Sequence, residues 1–261
     1  MKKTTKAILA SLCLFGASVA QAVTVTDEKG EFRINKTPMR EKIQPWQSVG
    51  SRSQPSLEVI ASLKPDLIIA DPSRHTAVYE ELKKIAPTMM FDSRHESYQD
   101  NLQTAQKIGD VVGKSAEMKA KIAEHNAFIA KVKANIKVNS DSVIYGTSRE
   151  DKFTFQNNTA YVPTFLAELG FKPAALPNND KALVEINLEQ LVTLQPKWLF
   201  ISHYRDESIA RKWEAESLWK AIPAVKANHV YPVDQYVWAR GRGIEASKIM
   251  AQQVEQFVNQ K

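Results

Sequence analysis

The chain has 261 residues, of which 43% are hydrophobic and 25% charged, with 12 Pro and 9 Gly. These proportions are those of a globular protein and exclude a disordered, collagen-like or coiled-coil chain. The formal net charge is +6. Three of the lysines lie in the first six residues, and without them the charge of +3 is too small to indicate a nucleic-acid partner.

The first 22 residues have the pattern of a secretory signal peptide. Three lysines precede an apolar stretch, Ala7 to Gly16, which is too short to span a bilayer. Ala20-Gln-Ala22 then fits an A-x-A cleavage site. We expect cleavage after Ala22 and export to an oxidising compartment. The only cysteine, Cys13, would be removed, and no later segment has the length and apolarity of a membrane span.

Short apolar runs and amphipathic segments predict alternating strands and helices along the rest of the chain. A hairpin is predicted over Val23–Thr26 and Glu31–Ile34, followed by irregular chain to residue 54. The first block then has predicted helices over Ser56–Leu63, Thr76–Ile85 and Tyr98–Val112, and strands over Leu67–Ala70 and Thr88–Phe91. In the second block the predicted strands are Ser142–Gly146, Trp198–Ile201 and His229–Val233, and the helices are Thr159–Leu169, Leu188–Leu194, Ile209–Ala221 and Ile244–Val258.

One long helix, from Ser115 to about Ile136, separates the two blocks. Strands that alternate with helices indicate parallel sheets, and two such blocks indicate two lobes. The predicted organisation is therefore a signal peptide (1–22), an N-terminal lobe (23–113), a connecting helix (114–137) and a C-terminal lobe (138–261).

An internal repeat supports two lobes. Residues 57–70 match residues 188–201 without a gap, at an offset of 131, and each copy has a helix, a proline and an apolar strand. Glu58 and Glu189 occupy the same place in the two copies, in the first turn of a helix. A favourable interaction with the helix dipole would explain an acidic residue there.

Arginines concentrate in the loops that follow the predicted strands. Seven of the ten lie there or in the loop around Gly50, whereas the lysines are spread mostly along helices. The planar guanidinium group matches carboxylates, and ligands of open α/β sheets bind beyond the carboxyl ends of the strands. The pattern favours a cleft for a polyanion, although exposed loops are often charged in any protein. The seven arginines are Arg52, Arg74, Arg94, Arg149, Arg205, Arg240 and Arg242, and their loops also hold Ser73, Ser148, Tyr204 and Trp238.

Motifs for catalysis or for a protein-bound metal are missing from the sequence. The five histidines have no ligand spacing, and neither a nucleophile elbow nor a phosphate-binding glycine loop occurs. We therefore expect no cofactor and no metal bound directly by the protein. A secreted α/β enzyme is the less favoured alternative.

The chain resembles the periplasmic substrate-binding proteins of ferric-siderophore and cobalamin ABC importers. The resemblance rests on segments 45–58, 146–150 and 203–209, on Lys64-Pro-Asp-Leu-Ile-Ile-Ala-Asp71 with Ser73-Arg-His75, and on Trp238-Ala-Arg-Gly-Arg-Gly-Ile244. It implies a monomeric periplasmic protein of two lobes joined by one rigid helix. It also implies that Arg52, Arg74, Arg149, Arg205 and Arg240, with Trp46 and Tyr204, face a ferric chelate, for which iron(III) dicitrate is the favoured identity.

The resemblance also gives the repeat a function. Glu58 and Glu189 match the lobe-tip glutamates that dock on arginines of the membrane permease, whose ATPase drives uptake. The iron would be carried by its chelator. Haem is the alternative ligand, with Tyr204 or a cleft histidine as its axial ligand.

One departure from this family concerns the N-terminal lobe. Members run from a segment like Thr37-Pro-Met-Arg40 into a strand, a helix and a second strand, whereas this chain continues into Glu41-Lys-Ile-Gln-Pro45. A few dozen residues are missing. We expect a shortened, loosely packed N-terminal lobe beside a C-terminal lobe that folds normally, with proteolysis starting between residues 35 and 55.

Overall fold

The structure, a computed structural model, describes residues 47–177 and 179–259. The expected signal peptide, the predicted hairpin of residues 23–34 and Trp46 lie outside these ranges, so the expectations for them stay predictions. The chain divides into two compact units between Arg94 and His95. Both the N-terminal unit, up to Arg94, and the C-terminal unit, from His95, combine helices with a sheet, which confirms the predicted α/β class.

The N-terminal unit holds two parallel strands connected through helices. Helix α1 (Leu57–Leu63) precedes β1 (Ile68–Ala70), and β2 (Thr88–Met90) follows α2 (Pro72–His75), a 3-10 turn (Thr76–Val78) and α3 (Tyr79–Ile85). Ile68 lies opposite Thr88 in the parallel ladder. Among its described residues, the buried core consists of Ile60, Ala70 and Leu82, with partly buried apolar side chains around them.

The C-terminal unit contains most of the regular structure. Its helices are α4 (Tyr98–Val111), α5 (Ser115–Asn135), α6 (Tyr161–Glu168), α7 (Leu188–Thr193), α8 (Ile209–Trp213), α9 (Pro223–Lys226), α10 (Gln235–Trp238) and α11 (Ile244–Asn259). Its strands are β3 (Ser142–Ser148), β4 (Phe153–Gln156), β5 (Lys172–Pro173), β6 (Leu183–Ile186), β7 (Trp198–His203) and β8 (Val230–Pro232).

The sheet of the C-terminal unit is mixed, which corrects the prediction of parallel sheets alone. Its strand order is β6-β4-β3-β7-β8, and β5 pairs with β3. β3, β7 and β8 are parallel, but β4 pairs antiparallel with β3 and with β6. The cause is the short connection after β3: the backbone N–H of Arg149 donates to the carbonyl of Lys152 (2.9 Å), and a tight turn returns the chain antiparallel.

The long helix packs inside the C-terminal unit. α5 lies against α4 and α11 and buries His125, Ile129 and Val132. α4 in turn packs on α6, where the backbone N–H of Tyr98 donates to Oγ1 of Thr164 (2.8 Å). The compact unit therefore begins at His95, earlier than the expected boundary after residue 113. None of the helices in the described ranges is long and apolar enough to cross a membrane.

The sequence repeat is also a repeat of backbone geometry. α1 and β1 correspond to α7 and β7, and an N-capping side chain, Ser56 or Asn187, begins each helix. The residue just before each proline has a left-handed φ, 48° at Lys64 and 45° at Gln195. The two copies thus turn from helix to strand in the same way.

Several elements differ from their predictions. The helix predicted over Ile209–Ala221 is α8 followed by turns and a 3-10 segment at Trp219–Ala221, so that prediction is wrong in its second half. The short strands β4, β5 and β6 and the short helices α2, α9 and α10 were not predicted. Each has six residues or fewer, which is too short for periodicity to reveal.

Candidate functional site

The carboxyl ends of β3 and β7 bring two candidate residues together. Ser148 pairs with His203 at the end of the parallel ladder, so the next residues, Arg149 and Tyr204, leave the sheet side by side. The backbone N–H of Tyr204 donates to the carbonyl of Ser148 (2.9 Å) and extends the ladder by one residue. This position agrees with the rule that ligands of parallel sheets bind at strand carboxyl ends.

Two cationic groups lie over the ring of Tyr204. The guanidinium carbon of Arg149 is 4.4 Å from the ring centroid, and that of Arg240 is 5.1 Å away. Arg240 also lies over the ring of Tyr236, at 5.1 Å. The short helix α10 precedes Arg240 and begins where the side chain of Asp234 accepts a hydrogen bond from the backbone N–H of Tyr236 (2.7 Å).

Arg205 is held differently, by a carboxylate. Its Nε donates to Oε1 of Glu150 at 2.8 Å, and the two side chains are 56% and 53% exposed. The pKa of Glu150 lies below its usual value, mainly because of a backbone hydrogen bond and secondarily because of Arg205. Among the described residues, by contrast, no carboxylate lies within 4.0 Å of the guanidinium groups of Arg149 or Arg240.

Two predicted ligand contacts are buried in the C-terminal unit, and the structure corrects them. Ser148 is 0% exposed, and its Oγ accepts a hydrogen bond from the backbone N–H of Ala210 (2.9 Å), next to the start of α8. Trp238 is 1% exposed, stacks on Phe200 and donates from Nε1 to Oε1 of Gln253 (2.6 Å). Both side chains support the site from inside the fold and do not face solvent.

His203, at the end of β7, does not add a positive charge at neutral pH. Burial, helped by the positive charge of Arg211, lowers its pKa to about 4. Its Nδ1 lies 2.7 Å from Oγ of Ser208. The cations at these strand ends are therefore arginines.

In the N-terminal unit, hydrogen bonds connect the loop around Gly50 to the segment after β1. Nη1 of Arg74 donates to Oγ of Ser53 (3.0 Å). Nδ1 of His75 accepts from the backbone N–H of Asp71 (2.9 Å), so its Nε2 carries the proton and donates to the carbonyl of Arg52 (2.8 Å). These contacts place Arg52 and Arg74 on neighbouring segments of the N-terminal unit, while their contact with a ligand stays a prediction.

Ser73 is exposed but already hydrogen-bonded. Oδ1 of Asp71 accepts from the Ser73 backbone N–H (2.8 Å) and hydroxyl (2.5 Å), and Oδ2 accepts from Ser93 (2.6 Å). Burial disfavours the charge on Asp71, but these hydrogen bonds outweigh it and lower its pKa. Ser73 therefore stabilises the turn after β1 through Asp71. A contact between Ser73 and a ligand stays a prediction.

An apolar cavity of about 450 Å³ lies in the same unit. It is lined along β1, by Leu67, Ile68 and Ile69, and by the side chains of Val49 and Leu63. Ile69 is 47% exposed and Leu63 38%. Arg52 and His75 also line the cavity, but the side chains along β1 are apolar and offer an anion no hydrogen bond.

The two repeated glutamates are accessible. Glu58 and Glu189 are both exposed, in the first turns of α1 and α7. This confirms the positions that the sequence predicts for them, while their docking function stays a prediction. In the part of the chain that the structure describes, no group of three or more His, Cys, Asp or Glu side chains is arranged to hold a metal ion.

The two-unit α/β fold with arginines at its strand ends defines a class of binding proteins, and comparison with known proteins identifies the family. A family model described as periplasmic binding protein matches residues 16–237, and the chain belongs to that family.

Two similar proteins have names that state binding of an iron(III) citrate complex. The chain is 39% identical to the Fe(3+) dicitrate-binding periplasmic protein FecB of Escherichia coli, over 93% of both chains. It is 40% identical to the Fe(3+)-citrate-binding protein YfmC of Bacillus subtilis, over 83% of this chain and 68% of that protein. Among solved structures, that of Staphylococcus aureus SirA has the same fold, with a TM-score of 0.74 and 23% identity over 85% of this chain and 86% of that one.

The alignment with FecB also bears on the expected deletion. It runs over 281 positions, whereas 93% of this 261-residue chain is only about 243 residues. About 38 positions of the alignment therefore have no residue in this chain. That number agrees with the few dozen residues that the sequence pattern lacks.

Sequence reasoning did not select three residues of the C-terminal site. Tyr236 and Gln235 lie on α10, which was not predicted, and Glu150 is an acidic residue in a loop for which the arginines predict an anion site. The side-chain Oε1 of Gln235 is buried without a hydrogen-bond partner among the described residues. Asp234, a good N-capping residue just after a strand, was the available signal for this helix.

Proposed function

We propose that the chain binds ferric citrate, or a closely related carboxylate chelate of iron(III), in the periplasm and delivers it to an ABC permease. The observation that carries the proposal is the pair Arg149 and Arg240, whose guanidinium groups lie over aromatic rings and, among the described residues, have no carboxylate partner. The names of the two curated relatives at 39% and 40% identity support the choice of iron citrate.

The chemistry of citrate fits these residues. Each carboxylate of the chelate can accept two parallel hydrogen bonds from a guanidinium group, a geometry that lysine cannot supply. The protein then recognises the negative outer surface of the complex while citrate keeps the iron. Arg205 contributes less in this proposal because Glu150 already occupies its Nε. Arg52, Arg74, Ser73 and Trp46 remain proposed ligand contacts of the N-terminal part.

Delivery requires a partner in the membrane. We assign docking on an ABC permease, with its ATPase, to Glu58 and Glu189, which are exposed and equivalent in the repeat. A signal peptide cleaved after Ala22 would direct the chain to the periplasm, where such a permease is reached. The protein would act as a monomer without a cofactor.

The direct test is calorimetry and tryptophan fluorescence with a panel of ligands: ferric citrate, iron-free citrate, a ferric catecholate and haemin. We expect saturable binding of ferric citrate and weaker binding of the others. A Soret band that shifts on mixing with haemin, without a response to ferric citrate, would contradict the proposal in favour of haem.

A set of arginine variants locates the site. Arg149→Ala should weaken ferric citrate binding roughly 10–100-fold, because a charge-assisted hydrogen bond contributes about 1.5–3 kcal/mol. Arg211→Ala is the matched control, since Arg211 lies on α8 and contacts Glu214 (3.5 Å). Arg205→Ala should fall between the two. Equal losses in the Arg149 and Arg211 variants would show that the strand ends are not the binding site.

A further inference from the structure

Tyr204 is the common contact of the two arginines that carry the proposed function. Both guanidinium carbons are measured from the same ring centroid, at 4.4 Å and 5.1 Å, so they lie at most about 9.5 Å apart. Two positive groups so close repel each other. The negative face of an aromatic ring offsets that repulsion for a cation placed over it.

A cation–π contact does not need the N–H groups of arginine to be paired with an acceptor. A carboxylate partner binds the N–H groups at the edge of the guanidinium plane, the same groups that a ligand carboxylate would need. Arg205, whose Nε donates to Glu150, shows that arrangement in this site. The guanidinium groups of Arg149 and Arg240 instead lie over aromatic rings, with no carboxylate beside them among the described residues. Arg149 and Arg240 are thus oriented, and the donors that remain for a ligand are those of Arg149 and the Nη groups of Arg240.

The ring itself is well fixed. Tyr204 is half-buried, and its backbone N–H extends the β3–β7 ladder at the carbonyl of Ser148. The backbone of Arg149 is fixed as well, since its N–H donates to the carbonyl of Lys152 and its carbonyl accepts from the N–H of Ile209 (2.6 Å), whereas its side chain is exposed. Arg240 has less freedom than a surface arginine, because it is half-buried and its Nε has no solvent contact and no hydrogen-bond partner among the described residues.

We propose that Tyr204 is a positioning residue, whose ring holds Arg149 and Arg240 in the orientation that recognises a carboxylate chelate. The inference rests on the proposed function for the identity of the ligand. It differs from a direct contact in which the phenol hydroxyl of Tyr204 binds the chelate or a haem iron. The ring supplies the effect, so a ring without the hydroxyl should suffice. Tyr236 has the same function for Arg240 alone.

Binding measurements separate the ring from the hydroxyl. Tyr204→Leu should weaken ferric citrate binding roughly 5–30-fold, because it removes two cation–π contacts. The conservative variant Tyr204→Phe should restore most of that affinity. Tyr236→Leu, which removes one contact, should cost roughly 2–5-fold. If Tyr204→Phe loses as much affinity as Tyr204→Leu, the hydroxyl is the active group and the proposal is wrong.

A double-mutant cycle tests whether Tyr204 acts through the arginines. In an Arg149→Ala, Arg240→Ala background, Tyr204→Leu should cause no further loss, since nothing remains for the ring to hold. An undiminished loss in that background would mean that Tyr204 contacts the ligand itself. Melting temperatures of all variants identify any that fail to fold.

A measurement without ligand separates this proposal from the proposed function. The side-chain Nε–H resonances of Arg149 and Arg240 should show ring-current shifts in the ligand-free protein. The shifts should persist in Tyr204→Phe and disappear in Tyr204→Leu. Unchanged resonances in Tyr204→Leu would overturn the positioning inference. If the shifts behave as expected but the protein does not bind ferric citrate, the positioning inference stands and the proposed ligand is wrong.

Discussion

The two copies of the internal repeat differ sharply in how well they are covered. Ile69 of β1 is 47% exposed, whereas Phe200, its counterpart in β7, is 0% exposed. β7 has neighbours on both sides, β3 and β8, while in the described part of the chain β1 pairs with β2 alone. The same helix–proline–strand pattern therefore gives a complete core in one unit, whereas in the other the described residues leave one edge of β1 without a partner strand.

The buried core of the C-terminal unit is correspondingly larger than that of the described part of the N-terminal unit. The C-terminal unit has two clusters, with 23 and 13 buried residues, and the described part of the N-terminal unit has one cluster of three. A small core has little free energy to set against the conformational entropy of folding. Local sequence can thus specify a strand, but its stability depends on neighbours that the sequence must also supply.

The largest expected effect compares equivalent positions. Phe200→Ala should destabilise the C-terminal unit by about 3–5 kcal/mol, because it leaves a cavity in a fully packed core. Ile69→Ala should cost less than about 1 kcal/mol, because that side chain is already half in water. Chemical denaturation followed by circular dichroism measures both. A loss above about 2 kcal/mol for Ile69→Ala would show that the cavity along β1 is covered in solution.

Native-state hydrogen exchange should reveal the same contrast without mutation. Amides of β1 and β2 should exchange on the order of 100-fold faster than those of β3 and β7, since the smaller core opens at lower cost. Limited proteolysis should accordingly cut before residue 95 first and leave the C-terminal unit. Equal protection in the two sheets, with a single cooperative melting transition, would contradict a loosely packed N-terminal unit.

The sequence predicted features that depend on local residues, and it did not predict features that depend on distant ones. The helices and strands of the repeat were predicted well, because in each copy a proline separates the helix from an apolar strand. The arginines at the strand ends were also predicted. The burial of Ser148 and Trp238 was not, because it depends on Ala210 and Gln253, distant residues that no local pattern connects to them.

The arrangement of cations in the site was beyond sequence reasoning for a related reason. Arg149, Arg205 and Arg240 have the same composition around them, with aromatic and acidic residues nearby in sequence. Only the structure shows that Glu150 pairs with Arg205 while Tyr204 contacts the other two. Those contacts join residues between 36 and 55 positions apart, so their pairing is a property of the sheet.

A pH dependence should distinguish the units further. His125 is fully buried in the C-terminal unit, and burial, with the charge of Lys248, lowers its pKa to about 4 against the opposing charges of Glu245 and Glu124. The unfolded chain therefore binds more protons between pH 6.5 and 4. Stability should be complete above pH 6.5 and fall on acidification, by about 1–3 kcal/mol from this residue.

Thermal melts across that pH range check the prediction. The transition of the C-terminal unit should move to lower temperature as the pH falls from 6.5 to 4, and His203, whose pKa is also about 4, adds to the slope. In His125→Gln the slope should be shallower. A melting temperature that does not change over this range would mean that neither histidine is buried as the structure places it.

The smallest effects on stability are expected at the two repeated glutamates, and there the units should behave alike. Glu58→Ala and Glu189→Ala remove exposed side chains, so each should change stability by less than about 0.5 kcal/mol and leave ferric citrate affinity intact. If they dock on the permease, each should still reduce iron uptake by cells. Glu81→Ala and Glu117→Ala are matched controls, since these residues also lie in first turns of helices.

Should both repeat variants support normal uptake while losing about 0.3–1 kcal/mol of stability, the glutamates serve only the helix dipole. A defect in one variant alone would instead show that the permease reads the two units differently, despite their common repeat.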